Sequence, residues 1–162
     1  MKKLALILSM LFILSIATIA FAGDEKDLKK AKNINSIEID GSKITSTVSS
    51  LVEIAEYESQ LTTSIFVLSG KASEGVEISI YTKKDKKEAF SQQGLVDKFQ
   101  VGKSGYFAKK INVDEGTTYI LVVAKKDKDT QISLLKVFYE KKESFFTKVE
   151  KAISNFVSSL GK

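Results

Sequence analysis

Apolar and polar residues alternate along the chain between Ser64 and Ala124, with the period of two that predicts β-strands. Val76, Ile78 and Ile80 share one side of such a strand, so that side should be buried. Turns that contain glycine separate the runs at intervals of about 8–12 residues, which is typical of an antiparallel sandwich or barrel. Strands are predicted over residues 51–55, 64–70, 76–82, 98–101, 106–113, 117–124 and 131–139.

The parity of these strands predicts one shared core. Its expected members are Phe66, Leu68, Val76, Ile78, Ile80, Phe107, Ile111, Val113, Ile120 and Val122. The strand over 117–124 is apolar at both parities, and a sheet that is apolar on both faces needs a cover on each. The segment 83–97 is polar, with Ala89-Phe90 as its anchor.

Residues 23–50 are predicted to form a charged N-terminal arm. Residues 24–32 carry too little apolar surface to bury, so they are expected to form a mobile arm or a frayed helix. Asp40-Gly41 then lies between two alternating segments, over residues 37–44. Both of these residues tolerate a positive φ, which predicts a β-hairpin.

The stretch from Phe66 to Ile78 resembles the opening of bacterial immunoglobulin-like (Ig-like) surface domains. A strand ends there in Gly70-Lys71-Ala72, and a turn at Gly75 leads to the next strand. The segments 99–107, 111–116 and 120–124 also follow the order of that family. The resemblance covers residues 51–141. It implies an all-β fold, an antiparallel Ig-like β-sandwich of about seven strands over 51–142, in a binding, spacing or adhesive module that is usually not an enzyme.

The C-terminal residues 143–162 carry a different period. Apolar residues recur there every three to four positions, which predicts one amphipathic α-helix with Ser144 at its start and Gly161 at its end. The candidate interaction surface is the apolar stripe of this helix, formed by Phe145, Phe146, Val149, Ile153, Phe156, Val157 and Leu160.

Such a wide apolar stripe needs a partner. That partner is the sandwich itself, another protein or a second copy, or a membrane surface. The Ig-like resemblance implies that Ile120 and Val122 face the core, which leaves Tyr119, Leu121 and Val123 on the outer sheet face. The connection 140–143 is short, so the stripe is expected to lie on that face.

The first 22 residues have the features of a secretory signal peptide. Lys2 and Lys3 precede an apolar run from Leu4 to Ile19, and Ala20-Phe21-Ala22 is a small-x-small cleavage pattern. The apolar run is long, so an uncleaved anchor is the competing interpretation. The expected product is secreted or held at the cell surface, with cleavage after Ala22.

The composition excludes several kinds of chemistry. The chain has no histidine and no cysteine, which rules out Ser-His and Cys-His catalysis, zinc sites of the usual ligand types, and disulfides. Asp114-Glu115 is expected to be a solvated turn, and Asp127 and Asp129, which could offer oxygen ligands to calcium, lie among lysines. We therefore predict no enzyme, no cofactor and no metal site.

The charge gives little reason to expect nucleic acid. The formal net charge is +5, it falls to +3 once Lys2 and Lys3 are removed, and the lysines are scattered among acids. The lysine clusters are expected to be solvated, with weak binding of a polyanion such as teichoic acid as the alternative. They lie at residues 83–87, 125–128 and 141–142.

These patterns favour an exported, non-catalytic binding or structural module at the bacterial cell surface or in the medium, with an unidentified protein or a cell-wall component as its partner. The alternative is a membrane-associated or membrane-active effector that acts through the C-terminal helix. The abundance of Ile, Lys and Ser and the absence of Arg indicate an AT-rich genome, and hence a Gram-positive bacterium as the source.

The processing prediction is direct. The exported protein should begin at Gly23, because Ala20 and Ala22 supply the small side chains that signal peptidase requires. N-terminal sequencing of the exported form measures this. Recovery of Met1 on a protein retained in the membrane would favour the uncleaved anchor instead.

Overall fold

The computed structural model describes residues 27–141, which fold into β-strands joined by turns and one 3-10 turn at Gln92–Gly94. In chain order the strands are β1 (Leu28–Lys29), β2 (Lys32–Asn33), β3 (Ser36–Ile39), β4 (Ser42–Thr45), β5 (Val52–Ile54), β6 (Tyr57–Glu58), β7 (Gln60–Leu61), β8 (Ile65–Ala72), β9 (Glu77–Lys83), β10 (Leu95–Gln100), β11 (Tyr106–Asn112), β12 (Gly116–Lys126) and β13 (Asp129–Tyr139).

Two sheets carry the fold. The large sheet has the order β10-β9-β12-β13, and β2 and β7 extend it by pairing with β13. The small sheet has the order β11-β8-β5. All of these pairs are antiparallel except β7, which runs parallel to β13. The predicted all-β, sandwich-like class is therefore confirmed, and each of the seven predicted strands is present within a few residues of its predicted ends.

The core between the two sheets contains the residues that the alternation predicted. All ten expected members are buried in one cluster, joined by Val52, Val101, Ala124, Leu135 and Val137. Phe66 and Leu68 of β8 reach it from the small sheet, and Ile78 and Ile80 of β9 reach it from the large sheet. The period of two places these side chains inward and their neighbours outward.

A second core lies on the opposite face of the large sheet. Leu121, Val123 and Ile132 are fully or almost fully buried there with Ile39 and Phe90. Ile39 belongs to β3, and Phe90 belongs to the polar segment after β9, so two separate pieces of chain cover this face.

The hairpin β3–β4 is the main part of that cover. Asp40 and Gly41 both have positive φ, 48° and 76°, as the Asp-Gly prediction requires. The Asp40 N–H donates to the Phe90 carbonyl at 3.2 Å, and Asp40 Oδ2 accepts from the Gln92 N–H at 2.8 Å. The hairpin turn and the Phe90 segment are thereby held together over the sheet.

This packing corrects the expectation that the C-terminal segment covers Leu121 and Val123. Both side chains are buried under the hairpin, because Ile37, Ile39 and Ile44 give that hairpin an apolar side of its own. The C-terminal helix and its candidate surface lie outside the described residues, as does the signal segment. Their residues are 143–162 and 1–22.

The charged arm also differs from the expectation of a mobile or frayed segment. Leu28–Lys29 pairs with Tyr57–Glu58, and Lys32–Asn33 pairs with Ser133 and Leu134. Two-residue ladders satisfy backbone groups without needing a large apolar face, which explains why low apolar content did not keep this stretch out of the fold.

The edge of β13 that faces away from β12 is covered by several short segments from the first half of the chain. The Thr47 and Val48 N–H groups donate to the Thr130 carbonyl at 2.8 and 3.2 Å, and the Ile34 N–H donates to the Ile132 carbonyl at 3.0 Å. Further along, the Phe138 N–H donates to the Ser59 carbonyl at 2.7 Å. Such cover prevents a long edge strand from pairing with other chains.

Stability measurements test the core assignment. Replacing Ile78 with Ala should lower the free energy of unfolding by about 2–4 kcal/mol, because the side chain is fully buried. Replacing the neighbouring Glu77 with Ala should cost less than about 1 kcal/mol, since it removes only a surface ion pair with Lys98. Chemical denaturation measures both. Equal losses would show that the strand register is wrong.

Candidate functional site

The acidic residues singled out from the sequence lie in turns and at the surface. Asp114 Oδ2 is 2.8 Å from Lys84 Nζ, and both side chains are largely exposed. Asp127 has a φ of 52° and lies in the tight turn that joins β12 to β13. Within residues 27–141, no group of three or more His, Cys, Asp or Glu side chains is placed to hold a metal ion.

Some of the lysines have structural contacts that the sequence did not reveal. The Lys83 ammonium lies 4.6 Å from the centre of the Phe90 ring and donates to the Lys86 and Glu88 carbonyls. It therefore ties the segment after β9 to the second core. Lys109 lies 4.1 Å from the centre of the Phe99 ring and 2.9 Å from Asp97 Oδ2, which links β11 to β10 across the edge of the sandwich.

A polar cleft of about 460 Å³ lies between β2, β5 and β13. Its wall includes Gln131, which is buried although it is polar. Gln131 Oε1 accepts from the Leu51 and Val52 N–H groups at 2.7 and 2.9 Å, and its Nε2 donates to the Val52 carbonyl at 2.9 Å. The side-chain amide thus pairs with Val52 much as a neighbouring strand would.

Asn33 and Ser133 complete this network. The Ser133 hydroxyl donates to Asn33 Oδ1 at 2.7 Å, and Gln131 Nε2 lies 3.2 Å from the same oxygen. In the described part of the chain, every buried side-chain nitrogen and oxygen has a hydrogen-bond partner. The buried groups of the cleft are therefore engaged in joining β2 and β5 to β13, and the cleft is better explained as a structural junction than as a ligand site.

The outer face of the small sheet has the opposite character, because it is exposed and partly apolar. Side chains on β8 and β11 alternate between the core and this face. Tyr106 is 72% exposed, Val67 is 50% exposed and Ile65 is 44% exposed. We call Val67, Lys71, Tyr106 and Lys110 the small-sheet face, since the register places Val67 opposite Lys110 and Lys71 opposite Tyr106.

The small-sheet face combines apolar surface with positive charge. Lys71 Nζ is 3.0 Å from Glu53 Oε2 on the neighbouring strand β5. The hydrogen bond to Glu53 and its negative charge raise the pKa of the Lys71 ammonium, so this group stays protonated throughout the neutral range. Exposed aromatic and aliphatic side chains beside lysines form a surface that could bind an apolar or an anionic partner.

The sequence patterns do not identify this face, and they predict the C-terminal stripe as the interaction surface instead. An alternating strand shows which residues face the core. The same pattern arises whether the other side of the strand is exposed to water or covered by another segment. Ile65 and Val67 were the available signal: they alternate with the core residues Phe66 and Leu68, and an outward aliphatic pair on a strand is a candidate contact.

Comparison with known proteins does not add to this geometry. No protein-family model matches the chain, and no curated protein matches its sequence. Across residues 27–141, the structure contains no helix with the length and apolar character that crossing a membrane requires.

The hydrogen bonds of Gln131 predict that this side chain stabilises the fold. Replacing Gln131 with Ala should lower the free energy of unfolding by at least about 2 kcal/mol, because it leaves the Leu51 and Val52 backbone groups without partners. Replacing Gln60, whose side chain is exposed, with Ala should change the free energy of unfolding by less than about 0.5 kcal/mol. Urea unfolding of the two variants measures the difference. Similar values would mean that the network does not hold β5 in place.

Proposed function

We propose that this chain is an exported, non-catalytic binding or structural module that acts at the bacterial cell surface or in the medium. The observation that carries the proposal is the small-sheet face. The central strands of the large sheet, β9, β12 and β13, have buried residues on both faces, whereas the small sheet leaves Val67 and Tyr106 exposed beside Lys71 and Lys110. A rigid sheet with one uncovered, partly apolar face is suited to holding a partner.

The strand order supports an Ig-like interpretation of the sandwich. Three strands, β11-β8-β5, face four strands, β10-β9-β12-β13, and the chain exchanges between the sheets after β8, β10 and β11. Two antiparallel sheets of three and four strands, with such exchanges, are characteristic of Ig-like domains. This supports the resemblance seen in residues 51–141, which implies a binding, spacing or adhesive role.

The class of partner follows from the chemistry of the face and from the expected export. Teichoic acids and other anionic polymers of a Gram-positive cell wall would meet Lys110 and would compete with Glu53 for Lys71, and their less polar segments would meet Val67 and Tyr106. The partner we propose is therefore a cell-wall component or a surface protein that presents negative charge.

Co-sedimentation with purified Gram-positive cell walls tests this function. The chain from Gly23 to Lys162 should sediment with the walls, and the double variant Val67→Ser with Lys110→Glu should lose most of this retention, roughly tenfold or more, for a change of at least about 1.4 kcal/mol in binding. The matched control is Val96→Ser with Lys136→Glu. It has the same residue types and charge change, and its residues are exposed on the large sheet.

The control variant should bind like the unmodified chain. Equal losses in both double variants would indicate a general charge effect rather than a binding face. Absence of retention for the unmodified chain would contradict a cell-wall role. Loss of retention after removing teichoic acid from the walls would identify the anionic polymer as the partner.

The alternative function, a membrane-associated effector acting through the C-terminal stripe, predicts a different result. The unmodified chain would then bind phosphatidylglycerol vesicles, and changes at Val67 and Lys110 would leave that binding unaltered. Charged substitutions in the stripe, such as Val149→Glu with Ile153→Glu, would abolish it.

A further inference from the structure

A groove of about 330 Å³ lies between β8 and the two-stranded ribbon β1–β6. Leu28 of the ribbon and Ile65 and Val67 of β8 line it, and they are respectively 51%, 44% and 50% exposed. Leu61 and Tyr57 also line the groove and are only partly buried. Several large apolar side chains that are open to solvent therefore surround one concave surface.

The described chain ends next to this groove. Tyr139, the last residue of β13, pairs with Leu61 of β7, and Leu61 is part of the groove wall. The residues that follow Tyr139 therefore start from one end of the groove. The five residues 140–144 span up to roughly 17 Å when extended, which is enough to turn back into it.

The residues beyond the described chain have the matching pattern. Phe145, Val149 and Ile153 recur at every fourth position, so they share one side of a helix, and from Phe145 to Leu160 a helix would be about 24 Å long. The outer face of the large sheet, where this stripe was expected to bind, is already covered at Leu121 and Val123 by the hairpin β3–β4. The groove is a partly apolar surface near the end of β13 that the described residues leave open.

The charges of the groove and of the C-terminal segment are also of opposite sign. Glu56 and Glu58 are among the residues that line the groove. Residues 142–162 carry four lysines against two glutamates, with Lys148 and Lys151 on the side of the predicted helix away from the stripe. With the stripe in the groove, Lys151 would face solvent, so the complement is between the net positive charge of this segment and the acidic residues of the groove wall rather than between paired side chains.

We propose that residues 144–160 of this chain bind in the groove between β8 and β1–β6, with Phe145, Val149 and Ile153 against Leu28, Leu61 and Ile65. The occupant is the C-terminal segment of the same molecule. It supplies the cover that the two-stranded ribbon lacks, and it stops short of Val67, Tyr106 and Lys110 of the small-sheet face. The inference does not depend on the proposed function, since it concerns only contacts within one chain.

Disulfide trapping in the full chain from Gly23 to Lys162 tests this arrangement, because the natural sequence contains no cysteine. One cysteine replaces Leu28, and a second replaces Phe145, Val149 or Ile153 in turn. At least one of these pairs should form an intramolecular disulfide under mild oxidation, roughly tenfold faster than the controls, because binding raises the effective concentration of the two thiols. Mass spectrometry and non-reducing electrophoresis measure the rate.

Two matched controls accompany each pair. Val96→Cys replaces Leu28→Cys at a site of similar exposure on the large sheet, and Lys151→Cys replaces the stripe cysteine on the opposite side of the helix. Circular dichroism checks that each variant keeps the strand content of the unmodified chain. Leu28 and Val96 are both exposed, so neither substitution should unfold the protein.

Each other outcome overturns the proposal. Equal rates at Leu28 and Val96 would mean that the segment has no preferred position. Trapping only between two molecules would identify a second copy as the occupant. Trapping that disappears when phosphatidylglycerol vesicles are added, together with binding of the stripe to those vesicles, would show that a membrane competes successfully for it. Retention on cell walls is measured separately, so failure here leaves the proposed function standing.

Discussion

The two-sided apolar character of β12 is the constraint on which the rest of the fold depends. Ile120 and Val122 point into the space between the sheets, and Leu121 and Val123 point away from it. Each of these side chains gains about 1.5–3 kcal/mol when it leaves water, so neither face of the strand can be left open without a large loss of stability. The small sheet supplies the first cover. The second is assembled from the hairpin β3–β4 and the Phe90 segment, and this explains why residues outside the seven-stranded sandwich belong to the fold.

The small sheet does not require a cover on its outer face. Its strands present Phe66, Leu68 and Ile111 to the core and mostly small or polar groups to water. The exceptions, Ile65, Val67 and Tyr106, are therefore not explained by packing within the described residues. Apolar groups that contribute nothing to the core of a chain without disulfides are the ones to examine for a role in recognition.

Sequence alone predicted the parts of this structure that depend on local pattern. Alternation identified the strands and the core because burial on one face imposes a period of two, and Asp40-Gly41 identified the hairpin because both residues adopt a positive φ. What covers Leu121 could not be predicted, since it depends on contacts between residues about eighty positions apart. The strands β1, β2, β6 and β7 have two residues each, too few for any period to appear.

The same limit applies to the sites. Gln131 is one of several polar residues in β13, and nothing in its neighbours shows that its amide would pair with Val52. The small-sheet face brings together Val67 with Lys110 and Tyr106 with Lys71, two pairs from strands almost forty residues apart in sequence. The C-terminal stripe was visible because its period is local, whereas the groove that we propose for it depends on how distant segments meet.

The covered edge of β13 has a consequence for the order in which the molecule folds. Residues near Asn33, Val52 and Ser59 depend on the last strand of the sandwich for part of their hydrogen bonding. During synthesis from the N-terminus, these hydrogen bonds cannot form until residues 129–139 have emerged, although the hairpin β3–β4 can pair earlier. Contacts of such long sequence separation make folding slow and late, because most of the chain must be ordered before they form. The final strand therefore holds several N-terminal segments in place by hydrogen bonds. A chain truncated within this strand would lose those hydrogen bonds as well as its own C-terminal residues.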